Sequence, residues 1–312
     1  MKQSKEIIAE YEAKRKNAKE ELKRYSSLNY IKAFKRRLIN KEPFKPCIYK
    51  LKTKRNELSE ELFLCNLVLR HGAVISKYGE IQTENQKLFH LLQLHYKDTN
   101  TSSAWTKEKD WSLKNIFPKR WEAQNKFLHE QFIPLLKKDD VLFDMACASG
   151  EWTRLISPYV KSIDGYEYAK SMVDFAIKKD AELGNTNIHY ECADATDFHP
   201  AKMYDHGMCL GLFTYLEDAA AKLAIHNISS IINKGGYLIT KDTLNAVGEN
   251  SVYHFNPNNK YQAVYRNEST YYQLFINEGF ELIYQSDLDK VKTVSDTEDI
   301  HFVSRGVLWR KK

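Results

Sequence analysis

Glycine and proline are scarce, 12 and 7 in 312 residues, which excludes a collagen-like or low-complexity chain. Cysteine is scarce as well: five residues at positions 47, 65, 147, 192 and 209, with no close Cys-x-x-Cys pair. An odd, unpatterned set of that kind supports no disulfide framework, and reduced thiols in a cytoplasmic protein are the expectation. No run approaches the roughly 18 consecutive apolar residues of a spanning helix. The opening residues, MKQSKEIIAEYEAKRKN, are charged throughout and contain no apolar signal-peptide core. The histidines, among them His90, His95, His206, His226, His254 and His301, show no His-Glu-x-x-His spacing, so no metal site is expected. The rest of the composition is ordinary: at 43% hydrophobic residues a chain of this length builds a full core and has room for about two domains.

Charge is divided along the chain. Residues 1–60 hold 18 Lys and Arg against 8 Asp and Glu, whereas the remaining residues hold 29 against 33. The basic excess therefore belongs to the front of the chain; it reads first as a solvated helix face docked on its own neighbour, with an anionic membrane surface or a partner protein as the candidate contact. No aromatic-basic repeat supports a nucleic-acid module. Ile7, Tyr11, Ala18, Leu22 and Tyr25 share one helical face, and the leucine-rich stretch 58–96 resumes the spacing and invites self-association. A polar hinge at 97–104, KDTNTSSA, separates a basic, mainly helical region, 1–104, from a second domain, 105–312. An aromatic-rich helical approach segment then runs from Trp105 to about Leu136.

From residue 140 the texture alternates. Short apolar runs, VLFDMA (141–146), KSIDGYE (161–167), NIHYECAD (187–194), DHGMCLGL (205–212) and GGYLITKD (235–242), are separated by helical patterns. Such alternation predicts right-handed βαβ units and a parallel sheet covered on both faces. A helix at about 268–278 and strands at 280–285 and 300–308 complete an α/β, seven-stranded Rossmann-like sheet, mostly parallel with the last strand antiparallel. Ligands of such sheets bind at the carboxyl ends of the strands, beside the switch in strand order.

The strand ends carry a pattern. The first ends in Asp144-Met145-Ala146-Cys147-Ala148-Ser149-Gly150. Its small residues allow close backbone approach, and its acid precedes them, which suits an ammonium or sulfonium better than a pyrophosphate. The second ends at Glu167, placed to accept two hydroxyls of a ribose; the third ends in Asp194-Ala195, and the fourth in Leu210-Gly211. In this order the tips resemble those of the class I S-adenosylmethionine-dependent methyltransferases, whose first motif, acid-x-Gly-x-Gly-x-Gly, is matched with Ala146 and Ala148 at the first two glycine places. The resemblance covers about residues 120–312.

It implies S-adenosyl-L-methionine as cofactor, with S-adenosyl-L-homocysteine as product. It also implies a cofactor site of Asp144, Ala146, Ala148, Ser149, Gly150, Trp152, Glu167, Tyr168, Met172, Asp194, Ala195, Leu210 and Gly211. Glu167 would hold the ribose, Asp194 and Ala195 the adenine, Tyr168 and Met172 would flank both, and Leu210-Gly211 would line the methionine part. Asp242 and Tyr215 are the candidate catalytic residues, and Tyr215, His254 and Arg266 the candidate acceptor contacts. The expected reaction is methylation of a polar group of a glycan, lipid-linked sugar or small metabolite. An RNA or protein-amine acceptor guided by the basic arm, or an inactive scaffold, are the alternatives. A cytoplasmic enzyme, peripheral to a membrane, is expected.

Overall fold

In the computed structural model the described residues are 2–24, 113–246, 251–256, 261–291 and 302–312, with isolated positions 54, 55, 58, 62 and 65. The hinge expected at 97–104, and most of the leucine-rich stretch, lie outside them. The chain forms two compact units, residues 1–95 with 255–261, and 96–254 with 262–312.

The first unit contains helix α1 (Lys2–Arg24). Ala18 is fully buried and Tyr11 and Leu22 half-buried, on the face that the spacing of apolar residues predicts. Lys14 pairs with Glu10 one turn back, at 2.7 Å.

The second unit is a twisted sheet with helices on both faces. Strands β1 (Val141–Met145), β2 (Ser162–Glu167), β3 (Ile188–Cys192), β4 (Tyr204–Leu210) and β5 (Ile232–Asn245) lie in the order β3-β2-β1-β4-β5, all parallel. Two further strands, β6 (Val252–Asn256) and β7 (Tyr261–Asn267), precede β8 (Phe280–Val291) and β9 (Phe302–Lys311). Strand β9 runs antiparallel between β5 and β8. The described residues thus form nine strands rather than seven. The additional pair comes from 252–267, where Val-Tyr-His-Phe and Tyr-Gln-Ala-Val-Tyr alternate in the manner of strands but lie between turn residues that make the segment read as a loop. Strand β7 pairs with β5 only at its far end, Leu244 with Arg266 and Asn245 with Asn267. Because β9 occupies the other edge of β5 there, β7 continues the line of β4 beyond that strand's end.

Alternation along the strands assigns every side chain to one face. Leu142, Ile163, Met208, Ile239 and Leu308 form one core cluster with Phe127 and Leu128 of the approach segment and Ile156. That face carries α2 (Pro118–Phe127), which opens on proline at its first position, together with α3 (Glu151–Ile156). Helix α4 (Lys170–Leu183) packs against Tyr190 of β3 through Val173 and Ala176. Phe143, Cys209, Leu238, Leu244 and Trp309 form the opposite core, under α5 (Asp218–Ser230) and α6 (Glu268–Asn277). Trp309 is wholly buried, stacks on Phe275 at 4.5 Å, and donates its indole N–H to Thr240 Oγ1 at 3.0 Å. Burying a ring of this size contributes on the order of 2–3 kcal/mol.

Close approach of α2 depends on Gly306, the β9 residue opposite Lys241. A Cβ there would lie 2.7, 2.9 and 3.0 Å from three ring carbons of Phe127. Gly306→Ala is therefore expected to destabilise the chain by about 1–3 kcal/mol through overpacking, read as a lower midpoint in urea unfolding; an unchanged midpoint would mean that α2 does not rest on this strand.

Candidate active site

Asp144 shares the face of Leu142, beneath α3. It is 2% exposed, and its Oδ2 accepts a 2.6 Å hydrogen bond from Thr153 Oγ1 of that helix. Burial pushes its carboxyl up to about 7; the Thr153 bond opposes the rise and the neighbouring Glu167 carboxylate adds to it.

After β1 the chain turns through Ala146, Ala148 and Gly150 with φ of 62°, 50° and 76°. A left-handed alanine costs roughly 1–2 kcal/mol, so two of them in three residues need support, and the turn receives it from several sides. Cys147 N donates to Tyr166 O at 3.1 Å, and Gly150 N to Cys147 O at 2.9 Å. Ala148 N donates to Glu167 Oε2 at 3.1 Å. The carbonyl of buried Ser149 accepts Arg154 Nη2 at 2.7 Å. The alanines thus adopt the backbone that the motif's glycines would, each adding one methyl group.

Glu167 ends β2 buried, and its Oε1 accepts Ala169 N at 2.9 Å. Each of its oxygens takes one amide from these bonds, and a carboxylate oxygen has a second acceptor direction. Burial raises its carboxyl above the ordinary value, while the amides of Ala169, Ala148 and Tyr168 hold it down. Burial also pushes up the Cys147 thiol, with Asp144 and Glu167 adding to the effect. The turn therefore lies in a strongly negative field. Tyr168 is half-buried beside Glu167, and Met172 is buried in the first turn of α4.

Beyond β3, Asp194 Oδ1 accepts both the amide and the hydroxyl of Thr196, at 2.9 and 2.7 Å, capping the short turn Ala195–Asp197. Ala195 is buried in the core. Trp152, in the first turn of α3, stacks on Trp121 of α2 with centroids 5.8 Å apart. Leu210 ends β4 and packs on the α2–α3 face, and Gly211 follows it at φ 107°. Two carboxylates that disfavour each other's ionisation, beside a turn of small residues, suit a ligand bearing a positive charge and hydroxyl groups.

On the acceptor side the geometry departs from expectation. Asp242 was expected to face the cleft. It is 1% exposed and turned the other way: Oδ1 accepts Thr214 N at 2.8 Å and Thr214 Oγ1 at 3.0 Å, and Oδ2 accepts Tyr271 O–H at 2.9 Å. Its carboxyl is raised by burial. The reason is parity: Leu238, Thr240, Asp242 and Leu244 point toward α5 and α6, while Tyr237, Ile239 and Lys241 point toward α2. Asp242 is a positioning residue for the turn after β4.

Arg266 holds the same turn. It is 1% exposed, and its guanidinium donates to the carbonyls of Phe213 and Leu216 and pairs with Asp218 at 2.9 Å. Its donors are committed to the chain itself rather than offered to an acceptor. Tyr215 is half-buried in that turn, Phe213–Tyr215, and His254 lies on β6. Sequence reasoning missed Lys241, because β5 is buried on both faces and Leu238-Ile239-Thr240 does not report which face each side chain takes. Lys241 is half-buried at the end of β5, opposite Leu210 of β4. Loss of surrounding water lowers its amine to about 8; Asp242 and Asp289 oppose that change and Arg120 assists it.

Among the described residues, no helix is long and apolar enough to cross a membrane. No group of His, Cys, Asp and Glu there is placed to hold a metal ion.

The methyltransferase-domain family model matches residues 142–236, from β1 to the start of β5. That span is similar to methyltransferase domains. Solved structures share the fold at low identity. An S-adenosylmethionine-dependent methyltransferase from Clostridium acetobutylicum aligns with TM-score 0.50 and 14% identity, over 64% of this chain and 96% of that one. The (4+2)-cyclase SpnF aligns with 0.52 and 14%, over 73% and 95%. The DhpI–SAH complex aligns with 0.50 and 15%, over 70% and 96%. No curated protein matches the sequence. The likeness to these structures is one of fold, and a fold hosts more than one chemistry.

Asp242→Ala would strand the Thr214 amide in the core and leave the Tyr271 hydroxyl with Thr240 Oγ1 as its remaining partner, and a loss of about 1–3 kcal/mol is expected in urea unfolding. Asp242→Asn keeps an acceptor for Thr214 and should lose less; equal midpoints for both variants and the wild type would contradict the positioning role.

Proposed function

We propose that this domain methylates a hydroxyl group of a small molecule, glycan or lipid-linked sugar, with the cofactor seated on the tips of β1 to β4. When bound, S-adenosylmethionine supplies an electrophilic methyl carbon attached to a positively charged sulfur. In this reading Glu167 accepts the ribose hydroxyls on its second lone-pair directions. Asp194 and Ala195 meet the adenine, flanked by Tyr168 and Met172. Asp144, the turn Ala146–Gly150 with Ser149, and Trp152 lie along the remaining length, and Leu210-Gly211 borders the methionine part. The carboxyl shifts at Asp144 and Glu167 support the fit, because a cationic ligand offsets the burial, and the lesser repulsion from Glu167, that raise Asp144.

The observation that carries the choice of acceptor is the charge at the end of β5. The carboxylates of that region, Asp242 and Asp218, are taken up by Thr214, Tyr271 and Arg266. On the α2 face Arg120 is paired with Asp289 at 3.5 Å, and Lys241 is a cation without such a partner among the described residues. A cationic amine gains nothing from such surroundings, whereas a neutral or acidic hydroxyl does. The excess of Lys and Arg in residues 1–60 suits an acceptor or surface that is itself anionic.

Calorimetry with S-adenosylmethionine and S-adenosylhomocysteine tests the cofactor half of the proposal. One site is expected, weakened roughly tenfold by Glu167→Gln, as for the loss of one charge-assisted hydrogen bond. Mass spectrometry of an acceptor panel of phenols, glycans and amines tests the other half, with methyl gain expected on hydroxyls. No binding of either nucleoside would support an inactive scaffold, and methylation of amines alone would overturn the hydroxyl reading.

A further inference from the structure

Lys241 combines three features that no other lysine described here is seen to combine at the end of the sheet. It projects from the last β5 position paired with β4, on the α2 side, between Leu210 of β4 and Gly306 of β9. Its Nζ lies 3.7 Å from where a Cβ on Gly211 would stand, so the amine reaches the point where β4 leaves the sheet. Its side chain is half-buried, in contrast to Asp242, which is sealed in the core.

The groups around the amine are few. Asp242 neighbours it on its own strand but points through the sheet to Thr214 and Tyr271. Arg120 approaches from α2 and Asp289 from β8, and these two lie 3.5 Å apart, Nε to Oδ2, so their fields largely cancel at a third site. The ammonium makes no hydrogen bond or ion pair of its own among the described residues. A lysine that is poorly hydrated and unpaired among the described residues gives up its proton closer to physiological pH than an ordinary lysine.

We propose that Lys241 is the general base of the transfer, receiving the proton of the acceptor hydroxyl on Nζ. This rests on the hydroxyl-methylation reading above. The acceptor's O–H bond breaks and its electron pair remains on oxygen, which forms the new O–C bond. The pair of the breaking S–C bond stays on sulfur, leaving a neutral thioether. The neutral amine becomes an ammonium and later returns its proton to water.

The test uses the full chain. Competitive acetylation with acetic anhydride across pH, followed residue by residue with mass spectrometry, reports the titration of Lys241 without any acceptor. A midpoint near 8 is expected, against about 10.4 for ordinary lysines; a midpoint at the ordinary value overturns the proposal. Lys241→Met removes the amine, and Lys241→Arg keeps the cation but cannot act as a base. Both should bind S-adenosylhomocysteine as the wild type does. Both should lose about 100-fold in kcat on a hydroxyl acceptor from the panel, and the limb near pH 8 in the wild-type kcat/KM profile should vanish. Wild-type turnover by Lys241→Arg on that acceptor sinks the base role and leaves the hydroxyl reading standing. Loss of nucleoside binding in both variants also overturns it, by placing Lys241 with the cofactor. Methylation of amines alone overturns both readings together.

Discussion

The hydrogen bond from the Ala148 amide to Glu167 joins the ends of two neighbouring strands, and the rest of the site depends on it. It holds a turn in which two alanines sit at positive φ, a conformation that each would leave if it were unsupported. The same carboxylate takes the amide that opens α4, so one side chain sets both the phosphate-free turn after β1 and the start of the helix after β2. Asp144 adds a second tie through Thr153. These buried carboxylates are costly to ionise, and the cost is tolerated where a ligand of opposite charge is to be bound.

The two halves of the cleft are specified differently. The half proposed for the cofactor is built from strand tips, where backbone geometry dominates and the side chains are short. The half proposed for the acceptor is built from β5 and from the turn after β4, which Asp242 and Arg266 fasten from opposite sides. Strand β7 continues the line of β4 and brings Arg266 over that turn. The turn is rigid because its carbonyls and amides are satisfied by buried charged groups, and rigid placement is what a reaction governed by alignment requires.

Much of this was legible in the sequence because strand tips carry function at fixed places in an open parallel sheet. Asp144, Glu167, Asp194 and Gly211 each stand at the end of a run that periodicity alone identifies. The alanines at 146 and 148 were legible as small residues, while their left-handed backbone was not, since alanine rarely adopts it. Asp242 was legible as a charged strand end and misplaced by one face, because in a strand buried on both sides hydrophobicity does not report parity. The same ambiguity hid Lys241. Strands β6 and β7 escaped notice because their alternation is short and lies between turn-forming residues, and only pairing with β5 reveals the second of them as part of the sheet.

The central claim is that a negative hollow at the ends of β1 and β2 accepts a positively charged sulfur. Calorimetric titration with S-adenosylmethionine and with neutral S-adenosylhomocysteine, at a series of pH values across Asp144's value of about 7, tests it most directly. Ionisation of Asp144 as the pH rises should increase the affinity for the sulfonium relative to the thioether. A preference that stays flat, or falls, from below that value to above it would contradict the claim.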